Sequence, residues 1–153
     1  MAKQPSHSVL VGAVCVLALV AAQASSASRA GGPPTAAAYR LQANAICSSE
    51  NRQVSALPSG ITLAVYLTDA LKIADKAFAQ LKQVTPPAEL SRLHARVLAN
   101  IAAGFPIVSG LLGRAKAGEL TLAQFEHDKA LTANVAEEDA LWKQLGATVC
   151  ANS

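Results

Sequence analysis

The chain has 153 residues, of which 13 are Lys or Arg and 10 are Asp or Glu, and its formal net charge is +3. Beyond residue 30 the two signs of charge nearly balance, and only 4% of the chain is aromatic. The chain has no basic patch that could bind a phosphate backbone and few aromatic rings on which bases could stack. Both features argue against a nucleic-acid partner. The length beyond residue 30 suits one compact domain rather than two.

Residues 1–30 have the order of a secretory signal peptide. A short polar segment with Lys3 precedes an uncharged apolar run at residues 9–22, and small residues follow that run. This order predicts cleavage after Ala24 or Ala30, and the sequence does not decide between the two. A retained membrane anchor is the less favoured alternative, because a spanning helix needs about 20 apolar residues and this run is shorter.

Residues 31–35 contain two glycines and two prolines and predict a flexible tether, after which residues 36–150 predict one helical domain. Apolar residues recur there at spacings of three and four, and no alternation typical of a strand persists. Proline and glycine divide the domain into four predicted helices, at residues 36–56, 62–84, 86–117 and 121–145. A capping box of Thr121 and Gln124 marks the start of the fourth helix. Because the connections are short, the sequence predicts an all-α, antiparallel, up-down-up-down four-helix bundle.

The cysteine count also favours export. Of the three cysteines, Cys15 lies inside the apolar run, which leaves Cys47 and Cys150 in the domain. This pair predicts one disulfide in an oxidising compartment, with two buried free thiols as the alternative. Because Cys47 lies about eleven residues, or roughly 16 Å, inside the first predicted helix, a bridge restricts the chain path. Either the residues after 145 fold back along the bundle, or the first helix begins later than residue 36.

The sequence lacks the common motifs for metal binding, for haem binding and for nucleophilic catalysis. No Glu-x-x-His motif supports a di-iron site, no Cys-x-x-Cys-His motif supports covalent haem, and no Gly-x-Ser-x-Gly motif supports a hydrolase. If the third and fourth predicted helices are antiparallel neighbours, His94 and His127 lie roughly 22 Å apart along the bundle axis. That distance is too long for the two side chains to bind one ion. We therefore expect no cofactor, no metal site and no catalytic residue, and we do not expect an enzyme.

Three ionisable residues form a candidate buried polar cluster, namely Glu50, His94 and Glu138. Glu138 interrupts the apolar stripe of the fourth predicted helix, and Glu50 follows Cys47 by about one helical turn. A buried acid must find a partner or hold a proton. The alternative for the polar residues at this level of the bundle is ordinary ion pairing at the surface.

Residues 97–113 carry no charge. Our preferred interpretation is the most buried helix of the bundle. A membrane-associated helix is one alternative, although the segment is shorter than a typical span. The other is a cavity for a small hydrophobic ligand near Pro106, where proline removes a helical hydrogen bond and favours a kink. The predicted lining residues of that cavity are Ile101, Phe105, Pro106 and Val108.

Several short motifs carry a resemblance to other exported proteins. These motifs are Tyr39-Arg40, Ala43-Asn44-Ala45-Ile46-Cys47, Pro86-Pro87, and Leu145-Gly146 leading to Cys150. In them the chain resembles a loose group of small secreted, alanine-rich helical proteins of high-GC Gram-positive bacteria. The resemblance covers most of the chain after residue 30 and implies export, an all-α fold and a Cys47–Cys150 bridge. It implies no activity and transfers no functional residue.

These observations favour a binding protein over an enzyme. We expect an exported helical bundle, secreted or held in the cell envelope, that interacts with a protein or envelope partner. A carrier of a small hydrophobic ligand near Pro106 is the first alternative. A membrane-associated protein, using its leader or weakly using residues 97–113, is the second.

Overall fold

A computed structural model describes residues 32–152, so the predicted signal peptide at residues 1–30 and its cleavage position lie outside the described residues. The described part is helical and contains no strand, which confirms the predicted all-α class. Two single 3₁₀ turns, at Ala88–Leu90 and Cys150–Asn152, accompany the α-helices. The α-helices are α1 (Ala36–Ser55), α2 (Leu63–Leu81), α3 (Ser91–Lys116), α4 (Leu122–Glu126) and α5 (Lys129–Leu145).

Threonine begins three of the helices. The hydroxyl of Thr35 accepts a hydrogen bond from the backbone N–H of Ala38, and Thr62 caps α2 in the same way. The predicted capping box at the start of α4 is present, with Thr121 and Gln124 each accepting from the other's backbone N–H. These caps satisfy donors that a helix start leaves without an intrahelical partner, and they explain why the starts of α1 and α2 fall within a residue of the sequence prediction.

The third helix begins later than predicted. The sequence indicated a start at Pro86, but the chain makes a 3₁₀ turn at Ala88–Leu90 and enters α3 only at Ser91. The reason is the second proline, because a residue that precedes proline is driven out of the helical region and Pro86 precedes Pro87. From Ser91 the helix continues without interruption through Pro106 to Lys116.

The predicted fourth helix, 121–145, is in fact two helices. The short α4 ends at Glu126, and α5 begins at Lys129 with Asp128 as its N-cap. The carboxylate of Asp128 accepts hydrogen bonds from the backbone N–H groups of Ala130 at 3.1 Å and Leu131 at 3.0 Å. An aspartate that offers the backbone such an alternative partner competes with helix continuation, which accounts for the break.

Four long helices form the bundle, since α1 packs on α2, α2 on α3, and α3 on α5. The predicted four-helix bundle is therefore confirmed. The remaining neighbours, α1 and α5, pack less closely than these pairs, and the C-terminal 3₁₀ turn contacts both of them. The chain end thus takes part in closing the bundle between its first and last long helices.

The C-terminal tail, residues 146–152, folds back along the bundle, which answers the question that the cysteine spacing raised. Gly146 ends α5 in the left-handed conformation at φ +74°, and Ala147, Cys150 and Ala151 are then fully buried. Cys47 and Cys150 form the predicted disulfide, which closes a loop with a sequence separation of 103. Because α1 begins at residue 36 as expected, it is the tail and not the helix start that adjusts.

Two clusters of buried side chains stabilise opposite parts of the bundle. The larger surrounds the disulfide and includes Tyr39, Val97, Trp142 and Leu145, all of which are almost inaccessible to solvent. The smaller is centred on Leu67, Leu111 and Leu120. Burial of such side chains contributes about 1.5–3 kcal/mol each and holds the helices in register at both ends.

Candidate functional site

A cavity of about 300 Å³ extends from one core cluster to the other. All four long helices line it, and its surface is mainly apolar. The volume lies at the lower end of the ~300–1,000 Å³ that is typical of small-molecule sites. It is about twice the ~150 Å³ of an apolar cavity that accommodates benzene. The apolar lining includes Val54, Leu71, Ala74, Phe78, Ile101, Phe105, Val108 and Val135.

Small residues leave this space open. Helix α2 presents Ala70 and Ala74 to the cavity, and α3 presents Gly104, where larger side chains would fill the volume. Close to these positions in the sequence, Phe78 and Phe105 pack against each other with ring centroids 5.5 Å apart. Both phenylalanines are only half-buried, in contrast to the tightly enclosed residues of the larger core cluster. The middle of the bundle is therefore apolar but incompletely packed.

The amide of Asn134 fixes the wall where α5 meets α3. Its Nδ2 donates to Oδ1 of Asn100 at 2.9 Å and to the backbone carbonyl of Asn100 at 3.1 Å. A Cβ at Gly104 would lie 2.7 Å from Oδ1 of Asn134, so glycine is what lets this amide approach the helix. Neither Asn134 nor Asn100 was predicted from the sequence as a site residue.

The cavity also has an acidic side. Glu50 projects from α1, Glu138 and Asp139 project from α5, and all three line the cavity. Oε1 of Glu138 accepts a hydrogen bond from the indole Nε1 of Trp142 at 3.1 Å. No hydrogen bond or ion pair of the Glu50 carboxyl is found within residues 32–152. The described residues that line the cavity include no lysine, arginine or histidine.

Both acids hold their protons more tightly than an exposed glutamate does. Burial, together with the nearby negative charge of Glu138, raises the pKa of Glu50 from 4.5 to about 7. Burial also raises the pKa of Glu138, against the opposing effect of its hydrogen bond from Trp142 and with a further rise from Asp139. At neutral pH Glu50 is therefore only partly ionised, and no lysine, arginine or histidine of the lining compensates the charge of its ionised form.

The predicted cavity residues are only partly those observed. Ile101, Phe105 and Val108 line the cavity, as their spacings of four and three on one helical face require. Pro106 does not line it and is exposed. It directly follows Phe105 and is turned by about 100° from it around the helix axis, so the prediction that Pro106 lines the cavity is wrong.

The predicted polar cluster also separates into two parts. Glu50 and Glu138 come together at the cavity, whereas His94 does not line it. His94 is buried in the larger core cluster, where its Nδ1 shares a 2.9 Å hydrogen bond with the hydroxyl of Tyr39. Tyr39 precedes Glu50 on α1 by about eleven residues, or roughly 16 Å, which places the histidine at another level of the bundle. Burial lowers the pKa of His94 and favours its neutral form.

Within the described residues, no group of three or more His, Cys, Asp or Glu side chains is arranged to hold a metal ion. In the same part of the chain, Ala88–Lys116 is the one helical segment long and apolar enough to cross a membrane, and little of it is buried. This last observation differs from our expectation that residues 97–113 would form the most buried helix. Its exposed side carries mainly alanine, glycine and serine, so a long apolar sequence does not require deep burial.

The fold and the site together define a class, an all-helical bundle with an apolar cavity that is partly open to solvent and acidic on one side. The chain matches no protein-family model, and it has no significant match among the curated proteins or the solved structures.

Proposed function

We propose that this protein is an exported binding protein whose helical bundle holds one small, mainly apolar molecule. The observation that carries the proposal is the cavity between the two core clusters, about 300 Å³ in volume and lined by all four long helices. Although the cavity is partly open to solvent, the apolar side chains that line it lack the packing partners they would have in a closed interior, which forfeits packing energy. A ligand that fills the cavity would recover that energy, and its binding would need little rearrangement of the helices.

Two features support export. The order of residues 1–30 is that of a secretory signal peptide, and the Cys47–Cys150 disulfide suits an oxidising compartment outside the cytosol. The mass of the protein recovered outside the producing cell tests this part of the proposal. Loss of the segment up to Ala24 or Ala30 is expected, and recovery of the uncleaved chain from the cytosol with reduced cysteines would contradict it.

Binding can be followed through the protein's own fluorescence, because its single tryptophan, Trp142, lines the cavity. We expect n-octanol to change the emission of Trp142 saturably. The substitution Ala74→Leu places a larger side chain in the cavity and should weaken octanol binding by about tenfold or more. Ala79→Leu adds the same atoms at an exposed position of the same helix and should leave binding unchanged. Equal binding by both variants would contradict the cavity as the site.

Membrane association is a second candidate, which the apolar and little-buried segment Ala88–Lys116 favours. Against it, the same segment supplies His94, Val97 and Leu111 to the protein core, and those side chains would have to leave the core for the helix to enter a bilayer. Flotation with lipid vesicles separates the two candidates. A ligand carrier should stay in the soluble fraction, whereas a membrane-associated protein should float with the vesicles.

A further inference from the structure

The charge and the shape of the cavity together restrict the chemical class of its ligand further than the description of a small apolar molecule does. The part of the cavity between Phe78, Ile101 and Phe105 offers only hydrocarbon and aromatic surface, whereas Glu50 and Glu138 form an acidic side. A purely apolar ligand would leave both carboxyls in a site with reduced access to water and without a compensating charge. Such an arrangement is unfavourable for the protein alone and favourable for a ligand that brings a positive charge.

We propose, building on the function proposed above, that the cavity selects a small amphiphile whose protonated amino group lies at Glu50 and Glu138 and whose hydrocarbon part lies against the apolar lining formed by Phe78, Ile101 and Phe105. The charge of the ligand follows from the lining, which among the described residues contains three carboxyls, at Glu50, Glu138 and Asp139, and no lysine, arginine or histidine. A ligand carboxylate or phosphate would meet like charge there and is disfavoured.

The two acids have different roles in this arrangement. Oε1 of Glu138 already accepts the hydrogen bond from Trp142, which fixes the position of that carboxyl. Glu50 has no such partner among the described residues and is the free acceptor for an ammonium group. Since burial and Glu138 raise its pKa to about 7, Glu50 is largely protonated in mildly acidic solution and becomes a full anion only above neutrality. Amine binding should therefore strengthen as the pH rises from 5.5 to 8.5.

The experiment compares three probes that share one hydrocarbon chain: n-octylammonium, n-octanol and n-octanoate. Their affinities for the full chain are measured by titration calorimetry and by Trp142 fluorescence at pH 5.5 and pH 8.5. We expect octylammonium to bind about tenfold or more tightly than octanol at pH 8.5, because charge-assisted hydrogen bonds exceed neutral ones. Octanoate should bind most weakly, and the affinity of octanol should change little with pH.

Three variants test which residues cause the preference for octylammonium. Glu50→Gln should remove most of the preference for octylammonium and its pH dependence, while octanol binding is retained. Glu138→Gln keeps an oxygen that can accept from Trp142 and should weaken octylammonium binding in the same direction. Glu137→Gln removes the same charge from a neighbouring exposed position, where Glu137 pairs with Arg96 at the surface, and should have no effect.

The outcomes separate this inference from the function on which it rests. Equal binding of octylammonium and octanol, or a preference that survives Glu50→Gln, would overturn the amine-binding inference and leave the apolar cavity as a binding site. Absence of saturable binding by all three probes would overturn both. Preference for octylammonium that Glu50→Gln abolishes and Glu137→Gln does not is the result that supports the inference.

Discussion

Glu50 illustrates how a single residue couples the stability of this fold to pH. Its folded-state pKa of about 7 lies above the ordinary value of 4.5, because burial and the charge of Glu138 disfavour the carboxylate. The folded protein therefore binds more protons than the unfolded chain between these two values. The stabilising contribution of protonated Glu50 is complete below pH 4.5 and is lost as the pH rises through about 7.

We accordingly expect Glu50→Gln to stabilise the protein at pH 8 and to change its stability little at pH 4.5. A glutamine cannot ionise, so the cost of the buried charge disappears. Because the side chain is only half-buried and solvent screens part of this cost, the gain should be about 1–2 kcal/mol at pH 8. Urea unfolding followed by circular dichroism at both pH values measures it.

Glu137→Gln is the control, since it removes one carboxylate from an exposed position of α5, next to Glu138. Its unfolding free energy should follow that of the unmodified protein across the pH range. His94 acts in the opposite direction, because its lowered pKa costs stability as the pH falls below 6.5. The difference between Glu50→Gln and the unmodified protein cancels this histidine effect. A difference that does not depend on pH would contradict the role given to Glu50.

The same residues show the limit of sequence interpretation at this scale. The sequence identified Glu138 correctly as an acid within an apolar stripe, because helical periodicity alone reveals such a position. The sequence prediction also grouped His94 with the two acids, because the three residues were expected at similar heights along the bundle axis. In the structure the histidine instead shares a hydrogen bond with Tyr39. Side-chain partners depend on the rotation of each helix as well as on its level, and spacing along a single chain does not fix the rotation of one helix relative to another.

At the scale of the helix, starts and lengths were largely predictable and interruptions were not. Threonine caps and the turns at proline and glycine predicted the bounds of α1 and α2 within a few residues. The break between α4 and α5 was missed because Asp128 within an apolar repeat looks like an ordinary exposed residue. Its competing role as an N-cap becomes visible only from the hydrogen bonds to Ala130 and Leu131.

The contact of α3 with α5 depends on the close approach of the Asn134 side chain to Gly104. Glycine within a helix costs about 1 kcal/mol relative to alanine, and at Gly104 a close contact with α5 offsets that cost. The contact is the Asn134 amide, which bonds to Asn100 and whose Oδ1 occupies the space that a Cβ at Gly104 would enter, 2.7 Å away. The two positions are therefore energetically coupled.

We expect Gly104→Ala to stabilise the Asn134→Ala variant by about 1 kcal/mol, because alanine favours the helix once the amide is gone. In the unmodified protein the same substitution should give no gain or a loss, since the added methyl group displaces Asn134 from its hydrogen bonds. The measurement is a double-mutant cycle by chemical unfolding, with a coupling of about 1 kcal/mol or more. Additive effects of the two substitutions would show that the close approach has no energetic consequence.

For the whole molecule, the C-terminal tail is the element that joins the first and last long helices. Besides the disulfide, the backbone N–H of Val149 donates to Oδ1 of Asn44, and Nε of Arg40 donates to the carbonyl of Leu145 at 2.7 Å. Apart from these contacts, α1 packs mainly on α2, whereas α3 is held on two sides by α2 and α5. Helix α1 is therefore the long helix most dependent on the tail.

The bundle and the cysteine pair could be derived from the sequence, but the role of the tail could not. Amphipathic periodicity and short connections predict antiparallel neighbours, and the two cysteines remaining after residue 30 favour a bridge over two free thiols. The path of the tail was open, because a bridge to Cys47 was compatible with two different chain paths. Complete burial of Ala147 and Ala151 decides between these paths in the folded molecule, and alanines at such positions carry no distinctive signal in the sequence.

We expect reduction of Cys47–Cys150 to destabilise the whole protein and to release α1 and the tail first. The bridge closes a loop with a sequence separation of 103, for which the loss of chain entropy in the unfolded state corresponds to about 4–5 kcal/mol. The melting temperature should fall by about 10–20 °C for a domain of this size. Hydrogen exchange should accelerate in α1 and the tail before it does in α2, α3 and α5, because those three helices retain their mutual contacts.

The double variant Cys47→Ala/Cys150→Ala is the control for this experiment, since it should match the reduced protein and no longer respond to reductant. A cavity formed partly by Cys47, Cys150 and α1 should also lose its ligand when α1 separates, so reduction should abolish octanol binding along with the Trp142 response. Uniform acceleration of exchange across all helices would show that the bundle opens as one unit. An unchanged melting temperature would show that packing of the tail, and not its covalent attachment, holds α1 in place.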